Sequence, residues 1–364
     1  MEEELQKIVS LTENLIRFRT TYNRPDERKK CADFIVKYFQ GTGFKIRRFN
    51  SNGFESLFIS KGLNKKPKVL LCGHFDVVDG EDAIFTPRKK GDKLFGRGAM
   101  DMKSGVAIFM YLMKELAKTK HGVGLLLVSD EEIGGDNGAK YMISKGYGGQ
   151  IVLISDGGGR VENIVEKEKG MVRIEIEVEG KPTHASRPWD GQSAFTELDK
   201  IIHDVESLFV PLKKHPKSHW VDTCVLSKAK VGDAINSVPD YAMAHFDIRI
   251  AKPEGHERVL KKIKALLPRN ASLKVIHFYP PTILNKKLPL VKTYLESVKH
   301  IGRKPTFGIT HGSSDTRHFG LKNMSVIMSQ PDGGLHHKEN EWVSISAMGD
   351  YYNLVKHYLD NVAV

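Results

Sequence analysis

Between Met171 and Glu179 the chain alternates strictly. Val172, Ile174, Ile176 and Val178 fall on one side, with Arg173, Glu175 and Glu177 between them. A period of two with one apolar side predicts a strand buried on a single face. A helix over Ser193–Phe209, strands near Thr223–Val231 and Tyr241–Ile250, a helix over Glu254–Leu267 and a strand over Ser272–Phe278 are predicted after it. The order β-α-β-β-α-β is that of a ferredoxin-like α+β sandwich. The residues before Gly170 have another texture. Asp26–Gln40 places Cys31, Phe34, Ile35, Tyr38 and Phe39 at helical spacing, and Gly41 and Gly43 stop the helix. Strands are predicted at Phe44–Phe49, Ser56–Ser60, Val69–Cys72, Val123–Ser129 and Ile151–Ser155, and helices at Lys103–Ala117 and Ala139–Lys145. This alternation predicts an α/β fold with a mixed, largely parallel sheet flanked by helices. Segments after Pro281 are expected to rejoin that sheet. The chain is therefore read as a discontinuous domain, 1–168 and 284–364, with a domain inserted at 169–283.

The length of 364 residues agrees with two cores. A hydrophobic fraction of 40% and a charged fraction of 27% are those of a globular protein. No apolar run approaches the roughly 20 residues that span a bilayer. The start, Met-Glu-Glu-Glu-Leu-Gln-Lys, does not read as a secretory signal, so a cytoplasmic location and no membrane partner are expected. Cys31, Cys72 and Cys224 are odd in number and widely spaced, which argues against a disulfide framework and against a thiolate metal site. The net charge is +12. Its basic pairs (Lys65-Lys66, Lys89-Lys90, Lys213-Lys214, Lys261-Lys262, Lys286-Lys287) are scattered and lack interleaved aromatics, so no nucleic-acid partner is expected. A positive field suits small carboxylate substrates instead.

Four apolar runs empty into polar clusters: Gly73-His74-Phe75-Asp76, Gly98-Ala99-Met100-Asp101, Ser129-Asp130-Glu131-Glu132 and Ser155-Asp156-Gly157. Ligand sites of open α/β sheets gather beyond the carboxyl ends of strands. One such cluster is readily a solvated strand end; four in succession point to one shared site. Histidine and carboxylates without cysteine favour Zn, Mn or Co. His74 and Asp76 are two apart and share a face of an extended chain, so Asp76 is placed to hold the second imidazole nitrogen.

Gly73-His74-Phe75-Asp76-Val77-Val78, Gly96-Arg97-Gly98-Ala99-Met100-Asp101-Met102-Lys103 and Asp130-Glu131-Glu132 resemble the signatures of the co-catalytic zinc peptidase superfamily. That superfamily includes aminoacylase, acetylornithine deacetylase, succinyl-diaminopimelate desuccinylase and glutamate carboxypeptidase. The resemblance runs in order from His74 to Glu341. It implies a catalytic metal-binding domain, an inserted dimerisation or lid domain, and two zinc ions for which cobalt or manganese can substitute. His74 and Asp156 would hold one ion, Glu132 and His337 the other, and Asp101 would bridge them. Family members often carry Glu where Asp156 stands. His337 lies in His337-Lys338-Glu339-Asn340-Glu341, with His336 as an immediate competitor. Glu131 would be the general base, with Asp76 and His184 as further catalytic residues. His184, in Gly180-Lys181-Pro182-Thr183-His184, would support the oxyanion in a partner subunit's site. Asn236 and Arg249 would hold substrate oxyanion and carboxylate, and Ser313 and Ser314 would line the pocket.

The activity so implied is a metal-dependent amidohydrolase that cleaves an N-acyl amino acid of deacetylase or desuccinylase type. Its water nucleophile is shared by two zinc ions, and it acts as a homodimer formed through the inserted domain. A dipeptidase or carboxypeptidase uses the same metal core, so the substrate is a small anionic N-acyl amino acid or a dipeptide. Desuccinylases tend to carry Arg-Arg-Gly before the first inserted strand, where this chain has Glu168-Lys169-Gly170. A binding protein on a decayed hydrolase fold would lack ligands, and here every ligand position is filled.

Overall fold

A computed structural model describes residues 2–62, 64–118, 122–209 and 220–362. The chain forms two compact units, Met1–Lys167 with Ile283–Thr310 and Ser314–Val364, and Glu168–Thr282 with His311–Ser313. Among the described residues no helix is long and apolar enough to cross a membrane. The Lys213-Lys214 pair lies outside the described residues.

The first unit is built on a six-stranded mixed sheet. Its order is Lys45–Ser51, Phe54–Ser60, Val123–Val128, Val69–His74, Ile151–Ile154, Ser325–Met328. The first three strands pair antiparallel and the last four run parallel. Val69–His74, Val123–Val128 and Ile151–Ile154 are buried at every position, as parallel strands covered on both faces must be. The segment after Pro281 does rejoin this sheet, through Ser325–Met328. Ser104–Glu115 buries nine of its residues in this core, which also takes apolar faces of the Glu2–Arg17, Pro25–Tyr38, Pro289–His300 and Ile345–Val362 helices. One close approach requires glycine. A Cβ on Gly105 would stand 2.2 Å from Ser155 Oγ and 2.4 Å from its Cβ, so the helix closes directly on the turn that follows Ile151–Ile154.

Further elements of this unit carry weaker sequence signals. Glu2–Arg17 is a helix that buries Ile8, Leu11, Thr12 and Leu15 at steps of three and four, with Glu2, Glu3 and Glu4 favourably placed in its first turn. A small four-stranded sheet, Gly333–Gly334, Trp342–Ser344, Lys93–Phe95, Arg88–Lys90, is made of strands of two and three residues, too short to show a period. Trp342 pairs with Phe95, which lays the C-terminal loop 335–341 beside the turn that starts at Gly96.

The second unit has the expected ferredoxin-like order. Its sheet runs Thr223–Val231, Tyr241–Ile250, Gly170–Glu179, Ala271–Tyr279, antiparallel throughout. Val172, Ile174, Ile176 and Val178 are fully buried, and pack with Leu198, Ile201 and Val205 of one helix and Val259 and Ile263 of the other. Ser193 caps the Ala194–Ser207 helix by accepting from Thr196 N at 3.3 Å.

The Gly105 contact yields a stability prediction. Gly105→Ala should lower unfolding free energy by about 1–3 kcal/mol, the cost of overpacking, despite the better helix propensity of alanine. Urea unfolding of the two proteins checks it, and an unchanged or raised midpoint would contradict the packing.

Candidate metal centre

The polar clusters leave adjacent parallel strands at the same end. Val69–His74 delivers His74 and Asp76, Val123–Val128 delivers Glu131 and Glu132, and Ile151–Ile154 delivers Asp156. Two groups of donor atoms result, each with its members within 4.8 Å of one another: His74, Asp101 and Asp156, and Asp101, Glu132 and His337. Asp101 belongs to both. Its Oδ1 lies 3.0 Å from His74 Nε2 and its Oδ2 lies 3.1 Å from His337 Nε2. His337 Nε2 is also 3.1 Å from Glu132 Oε2. His337, and not His336, completes the second group.

Asp101 is fixed through Glu341 and Arg97. Glu341 Oε1 accepts from the backbone N–H groups of Met100 and Asp101 at 3.0 and 3.1 Å. Its Oε2 accepts from Arg97 Nη1 at 2.8 Å, with both side chains almost wholly buried. Arg97 also donates to the carbonyl of Lys338 at 3.2 Å. One ion pair thereby ties the Asp101 turn to the His337 loop. His337 itself takes φ +61°, a sparsely populated region for a residue with a Cβ. Asp76 faces His74 Nδ1 twice, with its backbone carbonyl at 3.1 Å and its carboxylate Oδ1 at 3.6 Å. The carboxylate also accepts from Glu132 N at 3.0 Å. Asp76 thus orients one donor residue with its main chain and another with its side chain.

The electrostatics are those of crowded carboxylates seeking cations. Burial raises Glu131 well above the ordinary carboxylate range, and Asp315 and Asp156 add to the rise. Burial raises Glu132 as well. Asp130, buried and facing Asp315 and Asp76, is pushed up to about 7, and buried Asp315 to about 6. Burial alone would lower His74, yet its bonds to Asp101 and Asp76 hold it well above its usual value. Bonds to Asp101 and then Glu132 raise His337 to about 10. Protons on these imidazoles stand where divalent cations would bring charge. The donor chemistry fits zinc, with nitrogen and carboxylate ligands, a buried Glu132 Oε1 without a hydrogen-bond partner, and no thiol in either group. Asp156 offers one carboxylate oxygen to the first group.

Glu131 belongs to neither donor group. Its Oε1 is 3.9 Å from Arg317 Nη2, both side chains being mostly buried. Arg317 sits beside His318, whose Nε2 lies 3.0 Å from the carbonyl of Gly134. Burial and then the Arg317 charge push His318 down to about 4. In this buried network behind the donors, the sequence alone singles out none of Arg317, His318 and Asp315 as a site residue. Nothing in a short polar stretch distinguishes such burial. Ser314, expected to line a pocket, is buried with its Oγ 3.1 Å from Thr316 Oγ1 and accepting from Thr316 N. Ser313 is half-buried.

The second unit brings His184 and Asn236 together. Ala185 N donates to Asn236 O at 2.9 Å, His184 bridges to Ser237, and His184 Nδ1 meets Ser186 Oγ at 2.7 Å. Arg249 is elsewhere. The Asn236 loop leads into Tyr241–Ile250 at its first residue, whereas Arg249 is next to its last, about 26 Å of extended strand away. Its guanidinium Nε donates to Asp247 Oδ1 at 2.6 Å.

The shared position of Asp101 predicts how metal should be lost. His337→Ala should reduce tight binding from two ions to one per chain, while Asp101→Ala should abolish it. Metal uptake near pH 7 should release protons from His337 and His74, and affinity should rise with pH toward about 10, where the metal-free His337 gives up its proton. Calorimetry in buffers of different ionisation enthalpy, with metal analysis of each variant, checks both points. Equal stoichiometry in the two variants would refute the shared ligand.

A model of peptidase family M20/M25/M40 matches residues 70–361. The chain is 24% identical to a [LysW]-lysine/[LysW]-ornithine hydrolase of Sulfurisphaera tokodaii over 98% of its own length and 97% of the relative's. It is 26% identical to a succinyl-diaminopimelate desuccinylase of a Sulfurovum species over 96% and 97% of the two chains. Among solved structures, a tripeptidase from Staphylococcus aureus superposes with a TM-score of 0.79 at 19% identity, covering 98% of each chain. An M20 family metallo-carboxypeptidase from Sulfolobus solfataricus superposes with a TM-score of 0.76 at 20% identity, covering 97% and 98%. With its family model spanning both halves of the donor set, the chain belongs to peptidase family M20/M25/M40 and is a metal-dependent hydrolase of amide or peptide bonds.

Proposed function

We propose that the protein hydrolyses the amide bond of an N-acyl amino acid, with His74 and Asp156 holding one zinc ion, Glu132 and His337 a second, and Asp101 both. The observation that supports this reading best is the pair of donor groups sharing Asp101, with a buried non-ligand carboxylate, Glu131, next in sequence to one donor. Ions held there supply Lewis acidity toward the amide carbonyl and lower the pKa of water. The chain does the proton work. Glu131 takes a proton from the attacking water, becomes a neutral acid, and returns that proton to the departing nitrogen. Burial suits it to both halves of the cycle, because a raised pKa makes the carboxylate a better base near neutral pH. Arg249, whose planar fork now rests on Asp247, is the proposed grip for the substrate carboxylate. A deacylase is favoured over a dipeptidase on the names of the relatives, a desuccinylase and a [LysW]-lysine/[LysW]-ornithine hydrolase.

A homodimer follows as part of the proposal. One small substrate cannot meet both ends of the Tyr241–Ile250 strand, yet His184 and Asn236 lie at one end and Arg249 at the other. His184 and Asn236 are therefore assigned to a partner copy's substrate, where His184 supports the oxyanion. Ser313 remains a candidate for the pocket, and the site is proposed to operate in the cytoplasm.

Glu131→Gln should retain both ions while kcat falls by about 10²–10⁴ on an N-acetyl amino acid. Full activity with metal bound would remove the base from Glu131. Inactive His184→Ala and Glu131→Gln chains, mixed and shown to form heterodimers, should regain a fraction of wild-type activity. No recovery in verified heterodimers would place His184 in its own chain's site or in none.

A further inference from the structure

A cavity of about 330 Å3 in the first unit is lined by Asp76 and Glu132, and so lies within one substituent of the donor groups. Tyr22, Phe54, Val77 and Ile133 line it as well. Tyr22 and Ile133 are 65% and 49% exposed, large apolar groups left in water beside a charged centre. Tyr22 stacks on Phe54 with ring centroids 6.2 Å apart and planes at 21°. Behind this aromatic wall lies Arg28, only 3% exposed. Its guanidinium covers the Phe54 ring at 4.5 Å, and its Nη1 donates to the carbonyls of Thr21 and Tyr22, each at 2.6 Å. Burying an arginine is costly unless its donors are used. Nη1 holds the loop that carries Thr21 and Tyr22, and Nη2 donates to the carbonyl of Gly53 at 3.4 Å, which adds to the bonds that preorganise the wall. Among the described residues no lysine, arginine or histidine lines the cavity. Asp79, which does, is spent on Arg19 at 2.7 Å and Asn23 at 3.1 Å.

We infer that this cavity is a subsite for an uncharged, apolar substituent flanking the scissile amide, with Tyr22, Phe54 and Ile133 as its specificity-determining contacts. The inference rests on the amidohydrolase reading and narrows its substrate class. A carboxylate-bearing substituent such as succinyl would meet Asp76 there, with no cationic side chain to receive it and with Glu132 committed to a metal ion. A branched aliphatic or aromatic group would instead cover Tyr22 and Ile133 and displace the water against them.

The test uses the metal-replete protein and two substrate series. One varies the acyl group on glycine (acetyl, butanoyl, hexanoyl, succinyl), and the other varies the amino acid under a constant acetyl group (alanine, leucine, phenylalanine, aspartate, lysine). In one of the series kcat/KM should rise about tenfold or more from the smallest to the larger apolar members, and its charged members should rank lowest. Ile133→Asp and Tyr22→Ala should each collapse the apolar-to-small ratio toward unity, with Tm near that of the parent because both residues are exposed. Turnover without apolar ranking in either series, or a ratio that neither substitution moves, overturns the subsite and leaves the amidohydrolase reading intact. Silence on every amide overturns that reading, and the subsite with it.

Discussion

Negative charge gathered at the end of a buried parallel sheet is the constraint on which the rest of this structure depends. Asp76, Asp101, Glu131, Glu132 and Asp156 leave strands or turns within one small region, and low local polarity raises the cost of every unpaired carboxylate. The chain meets that cost with few cations. Arg97 is used to hold Glu341, Arg317 stands by Glu131, and His74 and His337 face Asp101 from opposite sides. Burial raises Glu131 and Glu132, and bonds to the carboxylates raise both imidazoles, so the site is poised for divalent cations.

The fold serves this concentration of charge in two steps. Parallel pairing of Val123–Val128, Val69–His74 and Ile151–Ile154 sends all their carboxyl ends to one side. The small sheet then returns the C-terminal segment across the chain, pairing Trp342 with Phe95 and bringing His337 to Asp101, 236 positions earlier in the chain. Glu341 ties the two together through backbone N–H groups, a fixed arrangement that a surface ion pair would not give.

Asp156 offers a donor atom in the same group as His74 and Asp101. The cavity beside Asp76 is walled by Tyr22, Phe54, Val77 and Ile133, and among the described residues no lysine, arginine or histidine lines it. The net charge of +12, by contrast, bears on attraction of small acids from solution and not on the shape of the pocket.

Much of this was legible in the residues alone, because the signals were local. Alternation from Val172 to Val178, fully apolar runs such as Val69–Cys72, and His, Asp and Glu at the ends of those runs are set by neighbours in sequence, and they announced the two textures and the donor residues. Tertiary structure decided what depends on distant partners. No periodicity shows that Glu341 will accept from Met100 and Asp101, that Asp76 will accept from Glu132 N as well as face His74, or that Arg28 will pin the Tyr22 loop. Nor does it show that His337 prevails over His336, a choice made by a positive φ and by a two-residue strand too short to carry a pattern. Sequence by itself determined which chemistry the chain could perform, since donor type and strand periodicity are properties of short segments. Only the folded chain shows the contacts that fix Asp101 and orient Glu132, because those are distances between segments far apart in sequence.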